Sequence, residues 1–246
     1  MVGPSVAARL KNLTARVEAA CERSGRALSS VQILAVSKKH TLEAVRAAVL
    51  CEQRDFAENY VQEAIEKVGQ ASDLSVRWHF IGRIQSNKVK QLVGKFYAIH
   101  SVDRVEILRL LNQTCASQAS TQNIFLQFNV AAEASKGGVS EVALTELCAE
   151  ALACSHLRVL GLMVMPPLRE DPEDSRRDFA HAREVLRGLR EVHVHQLEQH
   201  PLDQLSMGTS QDFEVAIEEG STWIRVGTDI FGPRERDPIA RLKENT

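Results

Sequence analysis

Short apolar, β-branched runs alternate along this chain with longer stretches whose apolar residues recur at helical spacing. The short runs fall at 33–38, 55–59, 76–82, 97–102, 123–130, 158–165, 204–210 and 223–231. Between most of them lie amphipathic segments, for example Leu42, Val45, Ala48 and Val49, or Val105, Leu108, Leu111 and Asn112. The same spacing recurs in Val142, Leu144, Leu147 and Ala151, and in Phe179, Ala182, Val185, Leu186 and Leu189. Strands alternating with helices predict βαβ units around a parallel sheet. Eight such strands close a barrel, so the expected fold is a (β/α)8 TIM barrel, a single domain over 1–246. Leu10, Leu13, Val17 and Ala20 share one face of an additional N-terminal helix at about residues 4–25. The competing architecture, a doubly wound open sheet, usually places a glycine-rich turn after its first strand. Here that position reads Ser37-Lys38-Lys39-His40. The prolines and charges of 166–172 carry no periodicity and predict an exposed loop.

Composition narrows the function classes. Hydrophobic residues at 44% suffice for a sizeable core, while aromatics at 5% argue against a stacking platform for nucleic acid. The net charge of −2 is spread over interspersed charges, without the basic stripe of a nucleic-acid binder. No apolar stretch is long enough for a membrane span. The five cysteines are odd in number and lack Cys-x-x-Cys spacing, which predicts reduced thiols and a cytoplasmic setting. The Arg-containing N-terminal segment leaves a mitochondrial matrix location as the alternative.

In a barrel of this kind, functional groups gather at the carboxyl ends of the strands. Lys38 stands at the end of the first run. A neutral lysine amine there attacks an aldehyde, whereas the bland alternative is a lysine opening a solvated loop. Arg225-Val226-Gly227-Thr228 at the last strand offers a guanidinium, close backbone approach and a hydroxyl. Ser206-Met207-Gly208-Thr209-Ser210 supplies a second hydroxyl-rich loop, and barrels often hold phosphate after strands seven and eight. An aldehyde that carries a phosphate describes pyridoxal 5′-phosphate (PLP). Asn59 and His79 are candidates to hydrogen-bond its ring substituents, or satisfied polar residues of the rim. His193-Val194-His195 has metal-ligand spacing on an expected strand, but no third ligand at matching spacing, so no metal is expected. No Ser-His-Asp arrangement, Walker A loop or G-x-G-x-x-G is present.

Seven segments carry a resemblance. They are Leu34-Ala35-Val36-Ser37-Lys38, Ala57-Glu58-Asn59-Tyr60-Val61-Gln62-Glu63, Trp78-His79-Phe80-Ile81-Gly82, Ile84-Gln85-Ser86-Asn87-Lys88, Gly161-Leu162-Met163, Leu205-Ser206-Met207-Gly208 and Ile224-Arg225-Val226-Gly227-Thr228-Asp229-Ile230-Phe231-Gly232. Together they resemble the pyridoxal phosphate homeostasis protein family, whose single barrel is similar to the N-terminal domain of alanine racemase. The resemblance implies Lys38 as the Schiff-base lysine and Arg225 facing the pyridine nitrogen. It also implies Ser206, Gly227 and Thr228 around the phosphate and Asn59 along the ring.

A fixed guanidinium at that nitrogen disfavours ring protonation and so weakens carbanion chemistry. The racemase further needs a tyrosine base from a second domain, and this chain has only Tyr60 and Tyr97. The expectation is therefore a PLP carrier in vitamin B6 homeostasis without catalytic residues, monomeric or weakly dimeric, delivering PLP to apo-enzymes. A racemase-like PLP enzyme and an unrelated phosphate-binding barrel are the alternatives. Three departures from the family pattern stand out: Lys39-His40-Thr41 replaces Thr-Lys-Pro, Ala57 replaces glycine, and Pro233-Arg234-Glu235-Arg236 replaces Ala-Arg-Asp-Tyr. Lys136 matches a loop lysine of the family and is read as a surface residue.

Overall fold

The computed structural model describes residues 4–131, 133 and 137–233. Its first helix, α1 (Val6–Arg23), starts where the Ser5 hydroxyl accepts the Ala8 N–H at 3.2 Å. It stops where Gly25 turns left-handed at φ 66° and Arg26 N–H reaches back to the Cys21 carbonyl at 2.9 Å.

Strand–helix units follow: β1 (Gln32–Val36), α2 (Leu42–Val49), β2 (Asp55–Glu58), α3 (Val61–Gln70), β3 (Arg77–Phe80), α4 (Val89–Leu92), β4 (Ala98–Val102) and α5 (Val105–Ser117). The second half runs β5 (Gln122–Phe128), α6 (Glu141–Leu152), β6 (Leu157–Val164), α7 (Arg176–Val192), β7 (Gln204–Thr209), α8 (Phe213–Glu218), β8 (Trp223–Val226) and α9 (Thr228–Phe231). The strands pair in parallel in chain order, and β8 closes on β1 with Ile33 opposite Ile224. The expected barrel with an added N-terminal helix is what the chain forms.

Side chains alternate across each strand, which divides the apolar residues into two layers. Ala35, Phe56, Phe80, Ile99, Leu126, Leu162 and Ile224 point outward and pack beneath the helices. Leu34, Val36, Ala57, Ala98, Phe125, Leu160, Met163 and Trp223 form a separate inner cluster. That inner space is also polar, because His79, His100, Ser206 and Arg225 are all buried. Gly161 permits the approach of β6 to β7, since a Cβ there would lie 1.8 Å from the Gln204 carbonyl oxygen. Helix α1 covers α8 and α9, where Arg16 pairs with Glu214 at 2.9 Å and Asp229 at 2.7 Å.

Three local expectations are corrected. The eighth strand ends at Val226, because Gly227 turns the chain and its carbonyl accepts Ile230 and Phe231 N–H groups, starting α9. His193 and His195 are not on a strand; they close α7 and lie in a short 3-10 turn. Val142 is 80% exposed, and α6 instead buries Leu144, Leu147, Cys148 and Ala151. Lys136 lies outside the described residues.

Candidate functional site

A cavity of about 620 Å³ opens at the carboxyl-terminal mouth of the barrel. Its polar lining comes from several different strands. Lys38 follows β1, Asn59 follows β2, Arg225 is the penultimate residue of β8, and Gly227 and Thr228 form the turn after it. Thr209, Ser210 and Gln211 enter from the loop after β7. Ile81, Met163, Met165 and Leu168 form an apolar wall.

The backbone under Lys38 is held by a buried charge cluster. Lys67, on the inward face of α3, donates to the Ser37 carbonyl at 2.7 Å, to Glu58 Oε1 at 2.7 Å and to Glu63 Oε1 at 2.8 Å. The Ser37 hydroxyl donates to the same Glu58 oxygen at 2.6 Å. Burial raises the Glu58 carboxyl above its ordinary value even though Lys67 and Ser37 act against that rise. Beyond Lys38, Lys39 takes a left-handed φ of 61° and its N–H donates to Glu63. Its side chain lies over Tyr60 at 5.9 Å, so it is directed away from the cavity that Lys38 lines. Thr41 caps α2, and His40, whose ring stacks on Phe231 at 4.9 Å, also lines the cavity.

Two close approaches shape the mouth. A Cβ on Gly82 would fall 1.7 Å from the Asn59 carbonyl oxygen, so only glycine lets the ends of β2 and β3 come together there. A Cβ on Gly227 would stand 3.2 Å from the Val36 carbonyl oxygen. Thr209 is fixed by Asp212, which accepts its N–H at 2.7 Å and its hydroxyl at 2.9 Å.

Arg225 is buried and its guanidinium is anchored from below. Nη1 donates to the Ser206 carbonyl and, at 3.0 Å, to the Ser206 hydroxyl, while Nη2 donates to the Val164 carbonyl at 2.9 Å. Burial lowers its pKa and Asp212 partly restores it. Ser206 is itself fully buried and does not line the cavity. The hydroxyls that reach the cavity from this loop belong to Thr209 and Ser210, because the chain bends at Gly208, whose φ is 89°. His79 is also placed elsewhere: it sits inside the barrel, bonded to Asp55 and His100, not at the rim. Lys38, Asn59, Arg225, Gly227 and Thr228 are brought together as expected.

Asp103, Arg83 and Gln127 also line the cavity, and nothing in their local sequence set them apart. Lys67 did leave a signal, since it occupies an apolar-face position of α3 beside Ala64. Neither tyrosine lines the cavity; Tyr60 lies against Lys39, and Tyr97 lies with Arg77 and Trp223 at the start of the strands. Among the described residues no helix is long and apolar enough to cross a membrane, and no cluster of three or more His, Cys, Asp or Glu is placed to hold a metal.

Comparison with known proteins agrees with this geometry. The sequence profile of the alanine racemase N-terminal domain matches residues 9–235. A pyridoxal phosphate homeostasis protein of Aquifex aeolicus is 42% identical over 228 residues, covering 92% of this chain and 97% of the relative. Its counterpart from Pseudomonas aeruginosa is 39% identical over 231 residues, covering 94% and 96%. The structure of PipY from Synechococcus elongatus with PLP bound superposes with a TM-score of 0.79 at 36% identity, over 93% of this chain and all of that one. Alanine racemase from Corynebacterium glutamicum shares the fold at TM-score 0.66 and 14% identity, with 60% of its length matched.

Proposed function

We propose, for a chain that belongs to the pyridoxal phosphate homeostasis protein family, that it binds PLP on Lys38 as a Schiff base and carries it without turnover. The observation that carries this reading is one cavity gathering the Lys38 amine, the Arg225 guanidinium and the hydroxyls and glycine of the last two loops. These groups fit PLP: an amine for the aldehyde, a hydroxyl-lined, glycine-opened corner for the phosphate, and an apolar wall for the ring. Bound PLP supplies an aldehyde that condenses with a lysine amine, releasing water, and a ring that accepts electrons when its nitrogen is protonated.

Each residue of the chain then has a defined task. Lys38 provides the nucleophile, and the Glu58–Lys67–Ser37 cluster fixes the backbone that presents it. Thr209, Ser210, Gly227 and Thr228 receive the phosphate, while Ser206 supports Arg225 from beneath. Asn59 and Met163 flank the ring. Arg225 would face the ring nitrogen with a charge that is not given up near neutral pH, which would disfavour ring protonation and favour storing the cofactor over activating a substrate. A racemase needs a second base opposite the lysine, and no tyrosine is near enough to serve. The barrel acts as one unit, hands PLP to apo-enzymes, and works in a compartment that keeps its five thiols reduced.

The test is an absorbance spectrum of the protein with added PLP, for the wild type and Lys38→Ala, followed by borohydride reduction and peptide mapping. A pyridoxyl adduct on Lys38, lost in the variant, supports the reading. A label elsewhere, or racemisation of alanine at enzymatic rates, would overturn the site or the carrier role respectively.

A further inference from the structure

The barrel interior holds a continuous line of polar side chains that the binding of PLP does not require. It begins at the first residue of β2, where Asp55 forms two bonds of 2.7 Å with Arg77. Asp55 Oδ1 lies 3.1 Å from His79 Nε2, and His79 Nδ1 lies 3.0 Å from His100 Nε2. His100 Nδ1 lies 2.9 Å from the Ser206 hydroxyl, which takes Arg225 Nη1 at 3.0 Å. The line thus runs from the amino-terminal end of the strands to the guanidinium in the cavity wall. His79, His100 and Ser206 are fully buried, and none has an unpartnered polar atom.

The two ends fix the direction of every hydrogen bond between them. Arg225 only donates, and an ionised Asp55 only accepts. With neutral imidazoles, one arrangement satisfies each atom. Arg225 donates to Ser206, Ser206 to His100 Nδ1, His100 Nε2–H to His79 Nδ1, and His79 Nε2–H to Asp55. The reverse arrangement puts a lone pair of His79 against the Asp55 carboxylate, or else needs a doubly protonated imidazole in a fully buried position. Burial opposes protonation of both histidines, and their neighbours divide: Asp55 favours charge on His79, while Arg77 disfavours it, and His79 and Arg225 disfavour it on His100. The other ionisable or charged groups against the line are Tyr97, tilted against His79 with ring centroids 5.1 Å apart, and Asp212, which acts on Arg225.

We propose that Asp55, His79, His100 and Ser206 are positioning residues for Arg225, forming a one-way chain of hydrogen bonds that fixes the guanidinium and sets the proton affinity of the PLP ring nitrogen. A barrel needing only packing here would fill the interior with aliphatic layers. A polarised chain ending on a carboxylate instead draws electron density toward Arg225 through successive donors. The role at the ring nitrogen rests on the PLP reading above; the direction of the chain does not.

Two experiments separate these layers. In ligand-free protein, long-range ¹⁵N correlation of the imidazoles at neutral pH should show His79 and His100 as neutral Nε2–H tautomers with slowly exchanging Nε2 protons. In Asp55→Asn, which keeps shape but removes the fixed acceptor, the His79 tautomer should no longer be locked and its proton should exchange faster. After PLP loading, the pH midpoint of the visible absorbance should move by about one unit in Asp55→Asn and in His100→Leu. The borohydride-trapped adduct should stay on Lys38 throughout. An Nδ1–H or doubly protonated His100 in the wild type overturns the chain, as does an Asp55→Asn variant with unchanged tautomers and midpoint. The isosteric Asp55 variant keeps the test decisive if His100→Leu does not fold. A wild type without any Lys38 adduct overturns the PLP reading, while the imidazole spectra still judge the chain.

Discussion

Replacing Lys67 by methionine asks whether the ground beneath Lys38 is held by charge. Methionine keeps the reach of the side chain and removes three donated contacts, to Ser37, Glu58 and Glu63. Glu58 is then left fully buried, with Oε2 already lacking a protein partner. Removing one partner of a buried ion pair costs about 3–5 kcal/mol. For a chain of this length that corresponds to a fall in Tm of about 6–20 °C.

The pH dependence has a definite sign. Glu58 has a raised pKa in the folded protein, from burial first, with Lys67 opposing. The folded state therefore holds that proton more tightly than the unfolded chain does. Its stabilising effect is full below the ordinary carboxyl value and is lost as pH rises through the folded value. Without Lys67 the folded value climbs further, so the variant's deficit is largest near pH 8 and shrinks near about pH 5. Urea unfolding followed by circular dichroism at both pH values measures this for the wild type, Lys67→Met and the double variant with Glu58→Gln. The double variant should recover more than half of the loss. A deficit below about 1 kcal/mol, or one that is equal at the two pH values, refutes the reasoning.

Three further outcomes follow from the same structure. Gly82→Ala drives a Cβ to 1.7 Å from the Asn59 carbonyl, so the ends of β2 and β3 must separate. A loss of about 1–3 kcal/mol and slower labelling of Lys38 are expected, checked by thermal unfolding and timed borohydride trapping. Asp55 is held below the ordinary carboxylate range; burial alone would raise it, but the bonds from His79 and Arg77 prevail. Its contribution is present above the ordinary carboxyl value and is lost as pH falls through the folded value, so acid unfolding should be steeper for the wild type than for Asp55→Asn. Leu13→Ala empties a fully buried position of α1 at a cost of about 2–5 kcal/mol in urea, with Lys38 labelling unchanged in the folded fraction.

The fold was legible because the outer layer is written in a repeating pattern: apolar strand runs of period two, each followed by a helical face. The error at β8 shows the limit of that pattern. Ile230 and Phe231 continue an apolar run, but it is the Gly227 turn that decides the local structure, and their burial comes from α9 packing under α1. Lys38, Asn59, Arg225, Gly227 and Thr228 were readable because strand ends converge in a barrel whatever the intervening sequence. The sequence reads Ser206 with its loop, whereas the side-chain alternation of β7 turns it inward to Arg225. The Asp55–His79–His100 line was not legible at all. Its members lie on three strands, and only the register Asp55 to Arg77 and His79 to Ala98 brings them level.

The Arg77–Asp55 pair, with Arg77 lying over Tyr97 and Trp223, stands at the amino-terminal end of the strands, opposite the mouth that Lys38 and Arg225 line. Between that pair and the cavity the barrel interior holds Leu34, Ala98, Phe125, Leu160 and the buried His79 and His100. A ligand held at the mouth would therefore enter and leave on the carboxyl-terminal side of the strands. A substitution that narrows that mouth should slow entry and exit by the same factor and leave the affinity unchanged.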